Sequence, residues 1–269
     1  MAWHPIQSWK NKQALKRALS PSASALAKTA PSAAHRGLSL TAPLAFGLAL
    51  GFPFAAAWTW PFLWWATSLH ESCHALMAWI TGGHVLAIDL HGLDAVTLTS
   101  GGVYPLISIA GYTGCALIGS LLLRSATWRP ELRWTLLSAV LVVPEIVIAV
   151  TGKWSMPWLA SLAVGGALFY LGRKRSQLIA GFLAALLFWQ TWSDIGVLIF
   201  HLELHSDARL LAEYCGAPFL SLPIAVIMCA ICLWFWFGAF RAWVRAWSAP
   251  APKAALSSQF GIETLKSRR

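Results

Sequence analysis

Leu69-His70-Glu71-Ser72-Cys73-His74-Ala75-Leu76 places two histidines and a glutamate inside a run otherwise too apolar for water. On a helix, side chains four residues apart leave the same face, so His70 and His74 point together, with Glu71 about a quarter turn round from them. That is the spacing of two neutral imidazoles sharing a Zn²⁺ ion, with a carboxylate beside them able to deprotonate a water in the metal's open position. A third protein ligand must then come from elsewhere in the chain. Between Trp60 and Thr81 the only other ionisable side chain is Cys73. A charge in mid-bilayer costs at least a few kcal/mol, so the trio needs a reason. The plain alternative is a polar patch packed against another helix.

The surrounding composition sets the class. Apolar residues make up 58% of the 269 and charged ones 11%, and the apolar residues come in blocks of about twenty. This predicts a polytopic α-helical membrane protein of about six to seven transmembrane helices and leaves no room for a sizeable soluble domain. The formal net charge is +10 from 20 basic and 10 acidic residues. Twelve of the basic residues fall in 1–40 and 241–269, where they suit the lipid bilayer's anionic headgroups and give no nucleic-acid module. Most of the cysteines, including Cys229 and Cys232, sit in apolar segments and read as small hydrophobes, with no disulfide framework.

Three regions follow: a basic N-terminal tail over 1–40, with an amphipathic stretch at 10–19 suited to the membrane surface, a membrane domain over 41–240, and a basic C-terminal tail over 241–269. Within the membrane domain, spans are expected near 40–58, 61–81, 103–123, 132–150, 156–171, 178–200 and 217–240. Gly82-Gly83 stops the second, which bears the histidine pair. Gly111, Cys115 and Gly119 line up at four-residue spacing, predicting close contact with that histidine helix. Glu145, next to Pro144, reads either as a partner to a metal ligand or as the bond acceptor at a proline kink.

After Gly83 the period changes. Val85, Ala87, Asp89 and His91 alternate with Leu86, Ile88 and Leu90, Gly92 to Ala95 turns, and Val96 to Thr99 alternates again, which predicts a short membrane-level β-hairpin. An open strand edge in hydrocarbon needs cover from protein or a water-filled cavity, so the hairpin is expected to line the site. Its edge can also accept an extended peptide, with Val85, Ala87, Val96 and Leu98 as candidate substrate contacts. A plain surface hairpin is the alternative.

For the third ligand the chain offers four aspartates: Asp89, Asp94, Asp194 and Asp207. Asp194 lies at a depth that matches His70 and His74. Asp207 follows the end of the sixth span, on the side where the histidine helix also ends, and Ser206 or Asp207 can equally cap a short helix closed by Gly216-Ala217-Pro218. A rival cluster of His201, Glu203, His205 and Asp207 lies at the membrane edge, where a solvated loop accounts for it.

His70 to Leu76, followed by Thr81-Gly82-Gly83, Thr99-Ser100-Gly101-Gly102, Ala110-Gly111-Tyr112-Thr113-Gly114 and Ser206-Asp207-Ala208, resembles the site-2 protease family of intramembrane zinc metalloproteases, in particular its compact bacterial branch without a PDZ domain. The resemblance spans about 60–225. It implies a zinc metalloendopeptidase of the bacterial inner membrane, with Glu71 as general base and Asp207 joining His70 and His74 on the metal. Its substrate would be a transmembrane segment of another membrane protein, held extended against the hairpin. Many members take their third ligand from an Asn-Pro-Asp-Gly motif, whereas the only asparagine here is Asn11. Asp194 therefore stays the second choice.

A cytosol-facing site and a basic N-tail on the inside would leave Arg173-Lys174-Arg175 outside, against the usual placement of positive loops. A re-entrant segment or a miscounted span, at the fourth or fifth span, would reconcile them. Two other readings stand beside the protease: a transporter or metal-handling protein, which usually shows inverted repeats absent here, and a non-catalytic member of the family.

Overall fold

The computed structural model describes residues 56–91, 94–200 and 206–248. Both tails, the first expected span as far as residue 55, the stretch at 10–19 and the cluster residues His201, Glu203 and His205 lie outside the described residues.

The histidine motif sits on α1 (Ala56–Ile80). Gly82 ends this helix by taking φ 82°, a left-handed conformation that a side chain disfavours. The chain then pairs β1 (His84–His91) with β2 (Asp94–Ser100) in an antiparallel hairpin. Four helices and a short turn follow before the last helix: α2 (Tyr104–Ser125), α3 (Pro130–Thr151), α4 (Met156–Phe200), α5 (Asp207–Tyr214), a 3₁₀ turn at Pro218–Leu220, and α6 (Ser221–Ser248). The segments Tyr104–Ser125, Pro130–Thr151, Met156–Phe200 and Pro218–Arg245 are long and apolar enough to cross a membrane. The protein is a polytopic α-helical membrane protein carrying one small two-stranded sheet among its described residues.

At 45 residues, α4 would stretch about 67 Å, over twice a bilayer's hydrocarbon core. Arg175 leaves the helical region (φ −132°, ψ 40°), and the chain doubles back there. Before the break, Ser161 hydrogen-bonds Glu145 and Gly172 meets Trp134 and Leu137, so this half runs antiparallel to α3. After it, Gln177 donates to the Ala126 carbonyl and Leu187 lies against Gly119, antiparallel to α2. Both halves run alongside full-length helices. Arg173 to Arg175 occupy the end of the bundle where Arg133 Nε donates to Ser176 Oγ at 3.1 Å.

Three apolar clusters hold the elements in place. The largest joins Trp65 and Leu69 of α1 to Leu123, Leu141, Leu187 and Trp236. A second locks the hairpin: Ile88 and Leu90 pack with Ala75, Val147, Ile148 and Trp158. A third seats α5, with Ala208 against Leu198, Ala225 and Met228. The hairpin and α5 are thus carried to the same end of α1.

The small-residue stripe of α2 is split among three neighbours. Gly111 and Gly114 face His70, His74 and Cys73 of α1, whereas Gly119 faces Trp236 of α6 and Leu187 of α4. Gly114, not Gly119, therefore continues the α1 interface. Glu145 hydrogen-bonds no member of the histidine group among the described residues; beside Pro144, its Oε1 accepts from Ser161 Oγ at 2.6 Å across to α4. Cys73, Cys115, Cys229 and Cys232 are buried and free.

Candidate metal centre

The i, i+4 spacing does what helical geometry requires, and the Nε2 atoms of His70 and His74 lie 3.1 Å apart. α5 brings a third donor to them: Asp207 Oδ2 is 3.5 Å from His70 Nε2 and 3.2 Å from His74 Nε2. Ser206 caps α5 by accepting from the Arg209 backbone N–H at 3.4 Å, and Ser108 Oγ of α2 donates to the Asp207 carbonyl at 2.9 Å. The two roles weighed for this segment, a helix cap and a candidate ligand, are divided between adjacent residues, Ser206 and Asp207.

Asp194 stands apart from this group. Gln190 Nε2 donates to its Oδ1 at 2.7 Å, one turn back on α4, and His70, His74 and Asp207 form the one group among the described residues able to hold a metal ion.

The donor chemistry fits a cation. His74 Nδ1 lies 2.6 Å from the Ile107 carbonyl oxygen, so that nitrogen carries the hydrogen and Nε2 presents a lone pair. Asp207 Oδ2 is buried and accepts no hydrogen bond. A lone pair and a carboxylate oxygen 3.2 Å apart repel, so the contact calls for either a proton on Nε2 or a cation bound between the two atoms. Ligand atoms about 2.1 Å from a tetrahedral Zn²⁺ sit about 3.4 Å from one another. The three separations found here bracket that value. The side chains of His70 and Asp207 keep 19% and 20% exposure, against 8% for His74, so the gap opens on the His70 and Asp207 side.

Close helix contact is part of the arrangement. A Cβ at Gly111 would overlap His70 Nε2 and His74 Nε2, so only glycine lets both imidazoles lie against the α2 backbone. Tyr112, the next residue, meets the His70 ring edge-on with centroids 4.7 Å apart.

Glu71 is 5% exposed, and its carboxylate is held by the hairpin: Thr97 Oγ1 donates to Glu71 Oε2 at 2.6 Å. Sequence reasoning missed Thr97, Ile107 and Tyr112. The signal for Thr97 was a hydroxyl on the strand face that buries the Ile88 opposite it. The Ile107 carbonyl carries no signal at all.

The four candidate contacts on the hairpin do not share a face. A bulge between Val85 and Ala87 shifts the register, pairing Val85 with Thr99 and Ala87 with Leu98. Simple alternation put Val85 beside Ala87, but the extra residue turns Val85 inward, against the cluster around Ile88. Val96 and Leu98 are 46% and 52% exposed. The outer edge of β1 is covered, since Ile88 bridges Gly152, the Lys153 N–H donates to the Ile88 carbonyl at 3.2 Å and Lys153 Nζ bonds Asp89 at 2.9 Å. The outer edge of β2 pairs with no strand among the described residues.

Fold and site together define a polytopic helical membrane protein with a candidate metal centre of two histidines and an aspartate, a buried glutamate beside it, and a hairpin with one open edge. The chain belongs to the Peptidase M50B-like family, whose model matches residues 44–239. No curated protein and no solved structure matches the chain.

Proposed function

We propose that this protein is an intramembrane zinc metalloprotease that hydrolyses a peptide bond in or near the transmembrane segment of a membrane-protein substrate. Membership of the Peptidase M50B-like family supports the reaction class. The observation that carries the reading is the convergence of His70 Nε2, His74 Nε2 and Asp207 Oδ2, 3.1 to 3.5 Å apart, on the helix where Thr97 holds Glu71.

His70, His74 and Asp207 would hold the zinc, whose Lewis acidity polarises a water and the scissile carbonyl when bound. Glu71 is the general base: it accepts the proton of the attacking water at its carboxylate and passes it to the leaving amine. The Thr97 hydroxyl, bound to Oε2, fixes which way that carboxylate faces. Ile107 holds the His74 ring in the tautomer that leaves Nε2 free. The substrate segment unwinds and adds as a strand to the open edge of β2, with Val96 and Leu98 meeting its side chains. Burial keeps bulk water from the reacting bond, and the membrane in question is the bacterial cytoplasmic membrane.

The test is zinc content and cleavage of a model transmembrane substrate by purified wild type, Glu71→Gln, Asp207→Ala and Asp194→Ala. Glu71→Gln keeps one zinc per chain and loses cleavage. Asp207→Ala loses the metal, and Asp194→Ala keeps it. A wild type without stoichiometric metal would move the transport reading ahead, and a zinc-loaded wild type that cleaves nothing would favour a non-catalytic role.

A further inference from the structure

The end of the bundle remote from the histidines carries a second site. α2 and α6 both run toward this end, since each lies antiparallel to the second half of α4: Gln177 meets Ala126 at the end of α2 and Leu187 meets Gly119, while Phe188 meets Phe240 edge-on and Thr191 accepts from Trp236 of α6. Between them lies a cavity of about 590 Å³, within the range of small-molecule pockets, whose lining changes character along its length. Leu117, Trp234 and Phe237 form the part nearer mid-bundle, and Arg124, Arg241 and Arg245 form the part nearer the helix ends.

The arginines have little reason to be there as packing. All three are exposed. None makes an ion pair with a carboxylate among the described residues, in contrast to Arg209, which pairs with Glu213 at 2.8 Å. Arg241 sits over the Phe237 ring at 5.4 Å, which steers its guanidinium across the cavity wall. Arg129 and Arg173 to Arg175, also exposed, add to the positive field at this end. Three guanidiniums at the level where α2 and α6 end would meet the headgroup region of a bilayer, and the apolar half of the cavity would meet the acyl chains.

The geometry points to an anionic phospholipid bound in this cavity, its phosphate gripped by Arg124, Arg241 and Arg245 and its first methylenes lying along Leu117, Trp234 and Phe237. Guanidinium forks suit phosphate oxygens, and basic pockets between membrane helices select lipids of that charge. Such a lipid would brace α2, the helix that carries Gly111, against α6. The site shares no residue with the candidate metal centre.

The experiment is native mass spectrometry of the full chain in neutral detergent, titrated with phosphatidylglycerol, phosphatidylcholine or inorganic phosphate, for wild type, the triple variant R124Q/R241Q/R245Q and the triple Lys variant. Zinc content and thermal midpoint serve as folding checks. Wild type is expected to retain one phosphatidylglycerol in preference to phosphatidylcholine. With each basic side chain contributing about fivefold, the Gln variant binds roughly a hundredfold more weakly, while the Lys variant keeps most of the preference. Equal retention of the two lipids, or unchanged binding by the Gln variant, overturns the proposal. Displacement of the lipid by millimolar phosphate also overturns it, by making this a free-anion site. A lipid-free dimer abolished by the same substitutions overturns it too, by giving the cavity to a second copy of the chain.

Discussion

Thr97 on β2 donates its hydroxyl to Glu71 Oε2 at 2.6 Å and also approaches the Glu71 carbonyl oxygen at 3.2 Å. One strand residue therefore ties the hairpin to the carboxylate next to the histidine pair. A hydrogen bond to a charged group is worth about 1.5–3 kcal/mol, and each 1.4 kcal/mol is about tenfold in rate. Thr97→Val should lower kcat by about tenfold to a hundredfold with zinc content unchanged, and Thr97→Ser should restore most of it. Equal kcat for all three would mean that the hydroxyl does not orient Glu71.

Gly111 gives the imidazoles their room. Because a Cβ there overlaps both Nε2 atoms, Gly111→Ala must push the rings off their present positions. Displacing groups that orient metal ligands typically costs about 10- to 100-fold in metal affinity. Competition with a chelating dye should show that loss for Gly111→Ala and almost none for Gly166→Ala, where a Cβ meets nothing within 4 Å.

The hairpin's two faces predict different phenotypes. Leu98 is 52% exposed, so Leu98→Asp should leave the thermal midpoint within a degree or two while lowering kcat/KM about tenfold or more, the contribution of one large apolar contact. Val85 packs against the Ile88 cluster. Val85→Ala should instead lower the midpoint and spare KM. Kinetics on a model substrate, paired with thermal unfolding in the same detergent, separates the two.

Arg133 is 7% exposed and bonds Ser176 just past the break in α4. Loss of its guanidinium would leave the turn at Arg175 without that tie. Arg133→Met should cost about 1–3 kcal/mol, seen as a lower thermal midpoint, with zinc per folded chain unchanged. A variant as stable as wild type would show that apolar packing alone closes the α4 hairpin.

Much of the molecule was legible before any tertiary contact was known. The apolar runs of α2, α3, the two halves of α4, and α6, the change of period that makes the hairpin, and the His70 and His74 pair all follow from residues a few positions apart. α6 ran past its expected end at residue 240 to Ser248, because amphipathic turns bearing Arg241 and Arg245 continue a helix beyond the hydrocarbon. Alternation failed at Val85 for a reason no period contains: one bulged residue reverses every side chain before it.

The choice between Asp194 and Asp207 belonged to the tertiary structure. Both aspartates lie far along the chain from His74, and the local sequence around each is compatible with a ligand. What separates their positions is that Ala208 seats α5 against Leu198 and Met228 and that Ser108 grips the Asp207 carbonyl, which sets Asp207 beside the histidine pair, while the Asp194 carboxylate accepts from Gln190. Helical periodicity and apolar run length are properties of neighbouring residues, so they can be read along the chain. The third donor, the Thr97 clamp and the Gly111 cradle depend on which surfaces pack together, and that is settled by the fit of whole helices rather than by any stretch within them.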